Sequence, residues 1–331
     1  MNSHQIPKSQ RVWILAAWIL PLLYPQASRL FLEAGQTFTQ DIAFGLLMAT
    51  AAILWGVSGP IASFGILSQP TAGTRSRPAL FSAVIAVITP SVYALIGVLM
   101  FMINLPHHHN TAWYVFVAAF SLLVWSPVQA PGNRWQNRKK LHRLCAIPVT
   151  IFILFHIANA FSGIISLEIQ NTLLQSLRRV YQLLPVEALL ITSIVLLFIS
   201  GVLMAIQRLP KGSAKMLIRS ISGLYLAAFF LAHLSAIVIL GRIFLKVETN
   251  YIWASGGEPG LLFSVYYPHL PPYYFLAVVA FFFHFGYAVI PALFPSAEAS
   301  NMNLASKSVS AARIFIATVI IMALCGYHLF I

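Results

Sequence analysis

The stretch LHRLCAIPVTIFILFHIANA, residues 141–160, decides how this chain folds. It leaves a basic run, GNRWQNRKKLHR (132–143), and climbs through apolar residues. It then places His156 where only lipid or neighbouring helices can surround it. A run of about 20 such residues is long enough to cross a bilayer as a helix. Backbone groups in hydrocarbon must satisfy one another, so the run is a helix and not a strand.

The rest of the chain repeats the pattern. Of its 331 residues 59% are hydrophobic and only 8% charged, with a mean hydropathy of +0.83. No soluble domain could hydrate that surface, and the composition predicts an all-α polytopic membrane protein. Nine apolar runs stand out, at about 12–32, 42–66, 78–104, 111–129, 142–165, 184–206, 216–244, 272–294 and 310–330. The net charge of +13 is a topology signal and not a nucleic-acid signal, because the basic residues lie between apolar runs. With the N-terminus inside, only Arg29, Arg178, Arg179, Arg242 and Lys246 of the 20 Lys and Arg fall outside. That places the C-terminus outside. Six of the seven acids, all but Glu298, lie near the outer side. Cys145 and Cys325 form no metal or redox motif. The first apolar run lacks a small-residue cleavage site and reads as an uncleaved span.

An internal echo runs through the sequence. WYVFVAAFSLLVWSPVQ (113–129) lies without gaps over YYFLAVVAFFFHFGYAV (273–289), and LLYPQASRLF in the first span resembles ILFHIANAFS in the fifth. These pairings set Pro25 opposite His156 and Val124 opposite His284. They divide the chain into a four-helix unit without intramembrane histidines (1–130), a second four-helix unit (131–295), and a loop with one extra helix (296–331).

Three of the ten histidines, His156, His233 and His284, sit deep within spans. Ionisable residues at such depth are costly and mark functional candidates. A single one is ordinarily a core residue hydrogen-bonded to a neighbouring helix. Depth distinguishes a pair. His156 follows Arg143 by 13 residues and His233 follows Arg219 by 14, so both rise about 20 Å from the inner boundary on parallel spans. Two imidazoles at one level can be the axial ligands of a haem. His284 lies on an inward-running span, nearer the inner side. The outer segment SLEIQNTLLQSLRRVYQLL (166–184) is amphipathic, and with Glu187 it offers Arg178 and Arg179 as polar groups bordering a quinone pocket. His107, His108 and His109 read as a solvated loop, since adjacent side chains diverge.

Residues 138–295 resemble the cytochrome b membrane-anchor subunit of succinate dehydrogenases and fumarate reductases. The resemblance rests on His142, Ile147, Pro148, Val149 and His156 in the fifth span, on Ser222–Gly223 followed by His233, and on His284 before Gly286. It implies haem b held between His156 and His233 nearer the outer face, with quinone as the redox partner. It also implies flavoprotein and iron–sulfur subunits docked at the inner face, in a bacterial cytoplasmic or mitochondrial inner membrane. For a second, inner haem it supplies His284, but the partner position falls around Leu197 to Phe198, where no ligand stands. The arginine usual two residues before the Ser is replaced by Ser220, with Arg219 beside it. The alternative is a divergent scaffold subunit with a structural haem or none. No nucleotide loop, hydrolase triad or charged broken helix accompanies these features.

Overall fold

The computed structural model describes residues 8–37, 42–69, 76–123, 137–210, 213–255, 269–293, 302–324 and 329. Among them there is no strand. The long helices are α1 (Lys8–Thr37), α2 (Ile42–Leu67), α3 (Arg77–Met102), α4 (His109–Leu123), α5 (Arg138–Ser162), α6 (Leu167–Tyr181), α7 (Leu184–Arg208) and α8 (Ala214–Leu234). After the one-turn α9 (Tyr251–Ser255) come α10 (Leu270–Leu293) and α11 (Met302–Leu324). Seven of these are long and apolar enough to cross a bilayer, α8 doing so together with its extension to Leu245. The sequence predicts nine. The two others fall on α4, described as far as Leu123, and on α11, whose apolar part is Ala311–Leu324. Residues 124–129 and most of 325–330, which would complete those spans, lie outside the described residues.

Small residues let the helices approach closely, as expected where lipid offers no hydrophobic drive to association. Ala17, Ala62, Ala79, Ala83 and Ala86 are buried between α1, α2 and α3, and the same core continues into Leu217, Tyr225, Ala277 and Phe281 of α8 and α10. Gly59 shows how tight the fit is. A Cβ there would stand 2.2 Å from the Ala86 carbonyl oxygen. In each half the neighbour order is the same: α1 on α2, α2 on α3 and α3 on α4, against α5 on α7, α7 on α8 and α8 on α10. The halves are joined by α3 against α8 and α2 against α10.

Proline placement has a visible consequence in α1. Pro25 has no N–H to give the carbonyl of Pro21 four residues back. The fully buried Trp113 of α4 donates its indole N–H to that carbonyl at 2.8 Å. Tyr24 and Tyr93 pack beside it, and the Tyr24 hydroxyl donates to the His269 carbonyl at 3.3 Å. His109 belongs to this cluster and not to a solvated loop. Its ring stacks on Tyr93 at 4.1 Å and its Nε2 lies 2.8 Å from the Tyr93 carbonyl, whereas His107 and His108 are exposed.

α8 changes its winding one residue after Leu234. Ser235–Leu245 is a π-helical continuation ended by Lys246 in the left-handed conformation (φ 55°). Such wide turns concentrate at functional sites, and this one begins two residues past His233.

Candidate functional site: facing imidazoles in a lateral cavity

His156 on α5 and His233 on α8 face each other, with ring centres 6.2 Å apart and planes at 64°. Each sits four residues after a phenylalanine, one helical turn back on the same face. His156 stacks on Phe152 (5.6 Å, 18°) and His233 on Phe229 (5.1 Å, 15°). The repeated Phe-x-x-x-His spacing thus fixes both ring planes locally. Neither imidazole has a hydrogen bond to any described residue. A metal–imidazole bond of about 2.0–2.1 Å, plus roughly 1.1 Å from ring nitrogen to ring centre, sets two axial imidazoles about 6.2–6.4 Å apart. The observed separation of ring centres is of that size. Among the described residues no three His, Cys, Asp or Glu side chains cluster.

Both rings line a cavity of about 260 Å³ between α5, α6, α7, α8 and α10, walled mainly by Ile, Leu, Val and Phe. Toward the end of the bundle away from Arg138–Arg143 the wall becomes polar. Ser166 caps α6, its Oγ accepting from the Ile169 N–H at 3.2 Å, so the amphipathic segment is a helix that closes this side. Arg178 reaches in from its last turn, donating to Glu248 at 2.5 Å and to the Thr249 carbonyl at 2.7 Å. Glu187, from the first turn of α7, pairs with Arg242. Tyr181 stands edge-on to Phe152, and burial raises its hydroxyl pKa, opposed in part by Arg178.

Of the quinone-pocket candidates, Arg178 and Glu187 line the cavity and Arg179 does not. Successive helical residues point about 100° apart. With Arg178 turned inward, Arg179 is exposed. The sequence reading missed Asn159, Gln170, Tyr181 and Arg242. Three buried polar atoms on this wall have no hydrogen-bond partner among the described residues: Asn159 Oδ1, Gln170 Oε1 and Arg178 Nε. Leaving such groups unpaired costs about 1–3 kcal/mol each, which makes them a ready polar lining for a ligand.

His284 has its neighbour elsewhere. Leu197 and Phe198, the positions expected to oppose it, line the same cavity, but the facing ring is His142 of α5, at 6.4 Å and 72°. The sequence reading named His142 only as part of the fifth-span motif and not as a partner for His284, because it stands at the very start of its apolar run. No family model, curated protein or solved structure matches the chain.

Proposed function

We propose that this chain is a haem-b-holding, quinone-reactive membrane-anchor subunit of a succinate dehydrogenase- or fumarate reductase-like respiratory complex. The observation that carries the reading is the separation of the phenylalanine-backed His156 and His233 rings, 6.2 Å, which suits axial ligation of one iron. In this reading the chain crosses the membrane nine times as two related four-helix units and one extra helix. Its N-terminus and basic segments face inside, and its C-terminus faces outside. When bound, the haem supplies one-electron exchange with a quinone. The protein's part is to hold and orient. His156 and His233 bind, Phe152 and Phe229 set the ring planes, and the apolar wall excludes water. Asn159 Oδ1 and Gln170 Oε1 accept from the hydroxyls of a quinol, and Arg178 donates to a quinone oxygen. Flavoprotein and iron–sulfur partners would dock on the basic inner face around the exposed Lys139, Lys140 and Arg143.

The test is a reduced-minus-oxidised spectrum of the purified protein, followed by reoxidation with a quinone analogue. A b-type band whose outer component is lost in both His156→Ala and His233→Ala, and which a quinone analogue reoxidises, is the expected result. A colourless preparation overturns the reading and leaves a scaffold subunit.

A further inference from the structure

We propose that the cavity at the basic end of α5, α7, α8 and α10 is a second iron-porphyrin site with His142 and His284 as its axial ligands. The pairing is between the first and fourth helices of the unit, whereas the resemblance implies the second and fourth. The proposal rests on the haem reading above for the cofactor's class, and on a separate set of residues for everything else.

Hydrogen bonding fixes which nitrogen each imidazole offers. His284 Nδ1 lies 3.0 Å from the Arg219 carbonyl oxygen. A carbonyl only accepts, so Nδ1 carries the proton and Nε2 the lone pair. His142 Nδ1 lies 2.9 Å from Ser200 Oγ. Ser200 donates its own proton to the Leu196 carbonyl at 2.6 Å, so toward His142 it accepts. His142 therefore also has Nδ1–H and a bare Nε2. Two facing imidazoles that both present lone pairs cannot hydrogen-bond to each other. A metal between them satisfies both, and the second hydrogen bond on each ring is the usual orienting partner of a ligating histidine.

The surroundings suit a flat, doubly anionic ligand. The 6.4 Å ring separation equals that of two axial ligands on one iron. The cavity between them, about 110 Å³, is lined by Gly201, Gly223, Ala146, Ala205 and Ala227. Adjoining it through His142, Met204, Arg208 and Arg219 is a second cavity of about 120 Å³ whose other walls are Lys139 and Arg143. Among the described residues no Asp or Glu lines it, and none of its four Lys and Arg side chains pairs with a carboxylate. Two propionates at that mouth would offset the uncompensated charge. On α5, His142 and His156 are 14 residues apart. That is close to four full turns, so the two imidazoles lie on nearly the same side of α5, about 21 Å apart.

The experiment measures haem per chain by the pyridine haemochrome method, together with a redox titration of the full-length protein in mild detergent. Two haems and two midpoints are expected for the wild type. His142→Ala and His284→Ala should each halve the haem content and remove the same midpoint, leaving the component that His156→Ala removes. His142→Met, which keeps a ligand, should retain the haem and shift that midpoint alone, which guards against simple misfolding. One haem in the wild type, lost in His156→Ala and unchanged in His142→Ala and His284→Ala, overturns this proposal and leaves the function reading standing. A colourless protein overturns both. One haem together with bound phospholipid that Arg208→Ala and Arg219→Ala release would instead make the cationic mouth a lipid site.

Discussion

Two glycines beside His142 and His284 give opposite expectations for the same substitution. An alanine Cβ at position 223 would lie 2.8 Å from His284 Cε1 and 3.0 Å from its Nδ1. One at position 201 would lie 3.4 Å from His142 Cε1 and 3.9 Å from its Nδ1. Carbon atoms rest comfortably at about 3.5–4.0 Å. Gly201→Ala therefore makes a near-ordinary contact, while Gly223→Ala forces the His284 ring back by roughly 0.6 Å or more. That ring is tethered through Nδ1 to the Arg219 carbonyl, one turn from Gly223 on the same helix, so it cannot swing away and keep its hydrogen bond. A ligand set tolerates only about 0.5 Å of displacement. Replacing a helical glycine by alanine favours the fold by roughly 0.5–1 kcal/mol, whereas overpacking costs about 1–3 kcal/mol. Gly201→Ala should leave melting unchanged or slightly raised, with both redox components intact. Gly223→Ala should lower the melting temperature and weaken or shift only the component that His284→Ala removes. The check is thermal unfolding in detergent beside the redox titration. If the two variants behave alike, the steric reasoning at this pair is wrong.

Gly59→Ala should destabilise by about 1–3 kcal/mol without altering haem content, because its Cβ meets the Ala86 carbonyl at 2.2 Å and backbone yields less readily than a side chain; thermal melts and absorbance spectra test both halves of the statement. Arg178→Ala should weaken binding of a quinone analogue by tenfold or more, about 1.4 kcal/mol, while Arg179→Ala leaves it unchanged, and equal losses in a titration would remove Arg178 from the pocket. Burial, with a contribution from nearby His109, lowers the His269 pKa to about 3, against about 6.5 unfolded. Between those values the unfolded chain binds more protons, so stability falls as pH drops, by at most roughly 1.4 kcal/mol per unit. Melting followed from neutral to acid should show that slope in the wild type and a shallower one in His269→Phe.

The helical character and most of the crossings were legible because length and hydropathy alone decide them. The His156–His233 pair was legible for a more specific reason. Depth is a one-dimensional quantity, and counting from Arg143 and Arg219 put His156 and His233 at one level, where their rings stand 6.2 Å apart. What counting from a boundary does not give is azimuth. Arg178 and Arg179 look equivalent in sequence, yet only Arg178 turns into the cavity. Asn159 and Gln170, whose amide oxygens have no partner among the described residues, were hidden too, because a single amide in an apolar run or an amphipathic helix carries no signature of its own. Arg242 gave its signal only through pairing with Glu187, 55 residues away.

His142, named only as part of a motif, is the instructive case. Its sequence context, on the basic flank of the fifth span, reads as interface, and the search for a partner to His284 went to the helix that the resemblance supplied. The positional information was nonetheless present: 14 residues before His156 is nearly the same face of the same helix, at the level toward which His284 descends. The Ser222–Gly223 pair, noted only as a motif, also acquires a cause. Gly223 is empty because the His284 ring occupies the space a side chain would take, and Gly201 performs a looser version of that service for His142. A missing histidine on α7 thus does not by itself leave His284 alone, because α5 carries one imidazole at each level. It meets α8 at one and α10 at the other. A four-helix unit with a single two-histidine helix can in this way present two facing pairs, one against α8 and one against α10.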